Sequence, residues 1–236
     1  MVISFCFTIK ILNKQSDLNL YVQMIEKSIQ CAKQYHKVKF YTDEETIAHI
    51  PIKDIEIQIV NTDNFYFVDD FKVYLLDIIE DNEVIIDTDL FLFAPLYLED
   101  DYDLYVDFKD HSGKDWYIEY LDWFIDKGIT ELIPNFNDKI IQVTNIVVFK
   151  FKNKQLQKKY TETYYIIREW ALSKDKNIDR GISIILGQYL LALLMSNYKV
   201  KYCHKNENHY IHLSGPQKFE KNVIDNIMPN KSIKII

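Results

Sequence analysis

A chain of 236 residues that is 48% hydrophobic and 14% aromatic has ample apolar mass for a large packed core, which excludes a disordered linker or tail. A formal net charge of −7 excludes a general nucleic-acid binder and electrostatic docking on anionic lipid, since both need a basic excess. The cysteines Cys6, Cys31 and Cys203 are widely spaced and include no Cys-x-x-Cys, so neither a disulfide framework nor a thiolate zinc site is indicated, and a reducing cytoplasm fits.

The N-terminal stretch MVISFCFTIKIL has no basic flank or small-residue cleavage site and is interrupted by Lys10, so it reads as a strand from Val2 to Thr8 and not as a signal peptide. Ser16 can cap a helix to about His36, with Leu20, Met24, Cys31 and Tyr35 facing inward. Val38 to Tyr41 is a second strand, Thr42-Asp43 opens a short helix over Glu44 to His49, and Ile55 to Val60 is a third strand. Helical spacing of Phe71, Tyr74, Leu75 and Ile78 predicts a helix from Phe67 to Ile79. Strands alternating with helices argue an α/β fold with a mainly parallel sheet, in which ligands bind beyond the carboxyl ends of the strands.

The next strand carries the feature that matters most. Val84, Ile85 and Ile86 suit a strand buried on both faces, and Asp87-Thr88-Asp89 follows before the apolar run resumes from Leu90 to Phe93. Strand alternation would point Asp87 and Asp89 the same way and Thr88 the other. Two carboxylates at a buried strand end repel each other and lose solvation, and a hard cation is the simplest compensation. An exposed acidic turn is the plainer alternative, and Asp101-Tyr102-Asp103 repeats the spacing elsewhere.

Beyond it, Leu104 to Phe108 reads as a strand and Trp116 to Asp126 as an aromatic helix stopped by Gly128. Its Trp116, Tyr117, Tyr120, Trp123 and Phe124 recur at helical spacing and are expected in the core. Ile140 to Phe151 reads as one strand or two, Lys154 to Leu172 as a long helix, and Asp179 as the cap of an apolar helix from Gly181 to Ser196. That helix is too short to span a bilayer, so no transmembrane segment is expected. Tyr198 to Cys203 is a strand, and Lys218 to Ile227 a last helix.

Four features together resemble the GT-A-fold glycosyltransferases, most closely those of family 8: the strand ending in Asp87-x-Asp89; Lys72 on the preceding helix; Thr144-Asn145-Ile146-Val147; and His212-Leu213-Ser214-Gly215-Pro216-Gln217-Lys218, which fits a His-x-x-Gly-x-x-Lys pattern. The resemblance implies a single GT-A-like domain, with residues 1–95 as the nucleotide-binding half and 96–236 as the acceptor half plus a C-terminal metal and diphosphate segment. It implies a metal-dependent transferase that moves a sugar, with retention, from a nucleotide-sugar donor such as a UDP-sugar to a glycan or lipid-linked acceptor. The metal, Mn²⁺ or Mg²⁺, would be held by Asp87, Asp89 and His212. The donor would meet Thr8, Lys72, Asp87, Thr88, Asn145, Gln188, Gly215 and Lys218, and Asp87, Asp89 and Lys218 would carry the chemistry. Alone, Lys72 reads as an exposed helix residue. Asp107 and Asp110 are candidates for acceptor or donor-sugar contacts, but a solvated loop is the favoured expectation for both. The sequence departs from the family's pattern where Asn145 is followed by Ile-Val in place of Ala-Gly, and where Gly187-Gln188 stands for Asp-Gln. One acidic sugar contact is therefore missing or supplied elsewhere. A hydrophobic strand with Asp-x-Asp also opens the haloacid-dehalogenase phosphohydrolases, but those want Thr or Val where Phe91 stands and carry the motif near the N-terminus. A non-catalytic relative that binds a nucleotide or glycan is the other alternative.

The chemistry follows from the residue types. Charge builds on a nucleoside diphosphate as the glycosidic bond breaks, and a divalent cation or a lysine at that diphosphate stabilises it. Carboxylates with one imidazole suit Mn²⁺ somewhat better than Mg²⁺.

Overall fold

The computed structural model describes residues 1–12, 17–50, 52–99, 101–107, 109–111, 115–137, 142–203, 210–213 and 221–227. The order is β1 (Val2–Cys6), α1 (Leu18–Lys33), β2 (Lys37–Thr42), α2 (Glu44–Ile47), β3 (Glu56–Ile59), α3 (Asp70–Ile78), β4 (Glu83–Ile86), β5 (Leu90–Leu92), β6 (Leu104–Val106), β7 (Lys109–His111), α4 (Asp115–Asp126), α5 (Ile129–Leu132), β8 (Gln142–Thr144), β9 (Val148–Phe151), α6 (Lys154–Lys174), α7 (Arg180–Leu194), β10 (Val200–Tyr202), β11 (Tyr210–His212) and α8 (Lys221–Asn226). The expected α/β class is what the chain adopts. The chain divides into two compact units, the first holding Met1–Asn64, Glu80–Leu98 and the described residues after 203, the second Phe65–Ile79 and Glu99–Cys203.

In the first unit the strands lie in the order β4-β1-β2-β3, every pair parallel. Ile3 and Phe5 of β1, Val38 and Phe40 of β2, and Val84 and Ile86 of β4 share one face by register and are all buried. Helix α1 brings Leu20, Tyr21, Met24, Ile25 and Ile29 inward and packs on β2 and β5. Its cap is Asp17, whose Oδ1 accepts from Leu20 N at 3.2 Å; Ser16, expected there, lies outside the described residues. The helix ends at Lys33, short of His36, whose Nε2 accepts from Leu96 N at 2.8 Å instead.

The opposite sheet face carries a buried polar network beside Val2 and Ile85. Glu83 at the start of β4 is fully buried and accepts from Lys39 Nζ at 2.8 Å, Tyr41 OH at 3.0 Å, Glu80 N at 3.3 Å and Ser4 Oγ. Three strands are thereby bonded through side chains as well as through their ladders. Burial drives the Glu83 carboxyl upward, but these donors outweigh it and hold it below the usual range.

In the second unit β6 runs antiparallel to β9 and parallel to β10, and β7 pairs antiparallel with β8. The segment expected as one or two strands is two, β8 and β9, because Asn145 Oδ1 accepts from Val147 N at 3.0 Å and turns the chain between them. Helix α6 is capped by Asn153 and α7 by Asp179. Gly128 stops α4 at φ +86°, as its position suggested. The aromatic residues of α4 divide: Phe124 is fully buried against Phe136 and Trp170, whereas Tyr120 and Trp123 are half-buried. Helix α3 begins at Asp70, three residues later than the spacing indicated. The Asp70 carboxylate accepts from Tyr66 N at 2.7 Å and Phe67 N at 2.9 Å, which holds those residues in a turn. Its inward stripe is Phe71, Val73, Leu75 and Leu76, while Ile78, expected inside, is 46% exposed.

Candidate active site

In the first unit the site begins where β4 stops. The strand ends at Ile86, and Leu90 N donates to Asp87 O at 3.2 Å, so Asp87-Thr88-Asp89 is a turn. Strand alternation therefore does not set the directions of the two carboxylates. Asp87 is half-buried, while Thr88 and Asp89 are buried. After the turn β5 pairs antiparallel with β11, with His212 opposite Leu90, and Leu213 N donates to Asp89 O at 3.0 Å. This pairing brings His212 Nε2 to 3.7 Å from Asp89 Oδ1, both side chains nearly enclosed. Helix α1 braces the same strand, for Ser28 Oγ, fully buried, donates to Leu90 O.

A carboxylate and an imidazole at this separation are two of the oxygen and nitrogen ligands a borderline divalent cation accepts. Among the described residues no three His, Cys, Asp or Glu side chains are grouped tightly enough to hold a metal. Asp89 and His212 are together; Asp87 stands outside their group. Ser214 to Lys218, with Gly215, lie outside the described residues.

Thr8 is fully buried, and its hydroxyl has work inside the fold. It accepts from Lys10 N at 3.2 Å, and with Thr46 and Thr62 it hydrogen-bonds Asp43. Burial pushes the Asp43 carboxyl upward, but these bonds overcome it and keep it below the usual range. A cleft of about 430 Å³ opens beside Asp43 at the carboxyl ends of β2 and β3. Lys10, Glu44, Glu45 and Asp63 also line it, an acidic set that disfavours a phosphate.

In the second unit Lys72 is buried, contrary to its reading as an exposed helix residue, and its Nζ donates to Ile146 O at 3.3 Å. That carbonyl directly follows Asn145, so two candidate donor contacts are joined. Asn145 is half-buried, and its own carbonyl accepts from Asp107 N at 3.1 Å. Asp107, expected in a solvated loop, has no exposed surface. Gln188 is half-buried on α7, preceded by Gly187.

No protein-family model matches the sequence, and no curated protein matches it. Among solved structures, the glycosyltransferase GlyE of Streptococcus pneumoniae TIGR4 is similar at a TM-score of 0.47 and 14% identity, over 85% of this chain and 44% of that one. The chain thus spans less than half of GlyE. The galactosyltransferase LgtC, solved with donor and acceptor sugar analogues, is similar at 0.45 and 15%, over 88% and 74%. Mouse xyloside xylosyltransferase 1 is similar at 0.46 and 9%, over 85% and 83%. These scores record a likeness, and the functional reading stands on the chain's own residues.

The burial of Asp107 and of Asp69 was not expected from the sequence. Asp107 follows a strand in a polar stretch, and nothing local marks it as enclosed. Asp69 sits 3% exposed in front of α3, pressed against α7 at Gly187. The available signal was the glycine, since a glycine inside an apolar helix marks a close approach.

Proposed function

We propose that the protein is a metal-dependent glycosyltransferase that moves a sugar from a nucleotide-sugar donor, a UDP-sugar, to a glycan or lipid-linked acceptor with retention of configuration. The observation that carries this reading is the pair formed by Asp89 and His212. A carboxylate from the β4 turn and an imidazole from near the far end of the sequence lie 3.7 Å apart, where the sequence pattern asks one ion to bind both.

Asp89 and His212, with Asp87 swinging in from the same turn, would hold Mn²⁺ or Mg²⁺. When bound, that ion supplies Lewis-acid stabilisation of the departing diphosphate. Lys218 gives a charge-assisted contact to the same phosphates, and Gly215 lets the backbone approach them without a side chain in the way. Thr88, Lys72, Asn145 and Gln188 orient the donor, with Lys72 fixed through the Ile146 carbonyl. Thr8 is left out of this set, because its hydroxyl is taken up by Asp43 and Lys10. Residues 1–95 form the nucleotide-binding half, and a cytoplasmic setting agrees with three widely spaced cysteines that include no Cys-x-x-Cys. No helix among the described residues is long and apolar enough to cross a membrane.

The test is a screen of nucleotide-sugar hydrolysis in the presence of Mn²⁺, with water as the universal if poor acceptor. One donor should release its nucleoside diphosphate, and EDTA should stop the release. Activity undiminished by EDTA, or no release from any donor, would contradict the proposal.

A further inference from the structure

Two consecutive residues of α1 make polar contacts with different partners in the first unit. Ser28 Oγ donates to Leu90 O on β5, the residue that stands opposite His212. Lys27 Nζ donates to Ile224 O at 2.6 Å and to Ile227 O at 3.3 Å, in and just past the last turn of α8. The last carbonyls of a helix have no partner within it and carry the negative end of its dipole, so an ammonium group suits them. These bonds join positions 197 and 200 apart in the chain.

The elements at the chain's end need such help. Helix α8 has six residues, too few to persist unaided. It keeps its place by burying Ile224 and Ile227, by packing on α1 and by the Lys27 bonds. Strand β11 has three residues and pairs with β5 in a two-stranded ribbon, which is marginal by itself. Its hold on β5 is completed by the buried Tyr210 and Leu213 and by the bond from Leu213 N to Asp89 O. Among the described residues α8 is the element that follows β11. The seat of His212 beside Asp89 is thus tied to α1 twice, through Leu90 by Ser28 and through α8 by Lys27.

We propose that Lys27 is a positioning residue for the metal site: by holding the end of α8 on α1 it keeps β11 on β5 and His212 within reach of the ion that Asp89 binds. This rests on the reading of Asp89 and His212 as ligands of one cation. An imidazole that is in place only part of the time weakens metal-supported binding in proportion.

The experiment compares wild type with four variants. Lys27→Met keeps the apolar stem and removes the donors. Lys27→Arg keeps charge and donors. Ile227→Ala loosens α8 from its apolar side with no change of charge. Lys33→Met takes the same charge from the exposed end of the same helix. Amide hydrogen exchange by mass spectrometry reads the seat of β11. Exchange over residues 210–213 should rise about tenfold in Lys27→Met, the loss of one hydrogen bond from a charged donor, while β1 and β2 stay at wild-type level. Ile227→Ala should show the same pattern. Calorimetry reads the site. With Mn²⁺, UDP affinity in Lys27→Met should fall toward that of His212→Ala, and with EDTA it should equal wild type. Adding Lys27→Met to His212→Ala should weaken Mn²⁺-supported binding by no more than about twofold, because Lys27 acts through the imidazole already removed. Lys27→Arg should restore both readings, and Lys33→Met should leave both unchanged.

Wild-type exchange over 210–213 in Lys27→Met and Ile227→Ala overturns the inference and leaves the proposed activity intact. So does a full further loss of affinity in the double variant, which makes Lys27 a bracket for the fold at large, or an equal effect in Lys33→Met. Wild-type UDP affinity that is indifferent to Mn²⁺ overturns the proposed activity and the inference with it.

Discussion

Substitution of Glu83 by glutamine should destabilise the protein by about 3 kcal/mol, because it breaks a buried ion pair from one side. Glu83 has no exposed surface and Lys39 is 5% exposed, so neither charge has solvent to fall back on. The variant keeps the shape of the side chain and can keep the Tyr41 and Ser4 bonds, but it removes the charge facing Lys39 at 2.8 Å. Loss of one partner from such a pair costs about 3–5 kcal/mol. The lower end applies here, since Lys39 retains Glu80 at 3.3 Å and Glu56 at 3.6 Å. For a chain of this size 1 kcal/mol moves the melting temperature by about 2–4 °C, so the shift should be about 6–12 °C. Acid dependence gives a second reading of the same group. The Glu83 carboxyl is held below its usual range in the folded state, so its contribution is complete above the unfolded value, about 4.3, and is lost as pH falls through the lower folded value. The variant should therefore show a shallower fall in melting temperature below pH 5. Thermal unfolding followed by circular dichroism between pH 3 and 8 measures both effects. A shift smaller than about 2 °C, with an unchanged acid limb, would refute the view that this network fastens the strand leading to Asp87.

Three further outcomes are expected. Ser28→Ala removes the buried hydroxyl that donates to Leu90 O and should cost about 1 kcal/mol in urea unfolding; an unchanged midpoint would show that α1 does not brace β5 through this bond. Lys72→Ala should lose about 1–3 kcal/mol of stability, because it strips a donor from the buried Ile146 carbonyl, and should also weaken UDP binding. Stability at wild-type level would return Lys72 to a solvated role. The Cys31 thiol is pushed up to about 11 by burial, so in the native protein at pH 8 it should resist iodoacetamide while the half-buried Cys6 reacts; mass spectrometry showing equal alkylation would contradict its enclosure.

The α/β alternation was legible because it is written in local periodicity: β1 and β4 are short, largely apolar runs, β2 alternates Lys37 and Lys39 with Val38 and Phe40, and α1 repeats its apolar positions every three or four residues. Asp43 and Asp179 announced helix starts through chemistry confined to a few residues. The position of Asp87 and Asp89 at a strand end was legible too, but their geometry was not. Whether β4 continues through them depends on the Leu90 bond to Asp87 and on the pairing of β5 with β11, a partner distant in sequence. Lys72 looked like a solvated residue because nothing local reveals that the Ile146 carbonyl waits for its ammonium group. The burial of Asp69 was invisible for the same reason, since it comes from a close approach to Gly187 on a distant helix. Both are long-range contacts, and pattern reading along a chain registers only short ones.

The central claim is that Asp89 and His212 hold one cation for a nucleoside diphosphate. It is tested most directly by titrating UDP into the protein by calorimetry, with Mn²⁺ and with EDTA, for wild type, Asp89→Ala and His212→Ala. Tight UDP binding should require Mn²⁺ in the wild type, vanish in Asp89→Ala, and persist in weakened form in His212→Ala, because the carboxylate carries the charge that the imidazole lacks. Equal UDP affinity with and without metal, or an Asp89→Ala variant that retains the full metal effect, would contradict it.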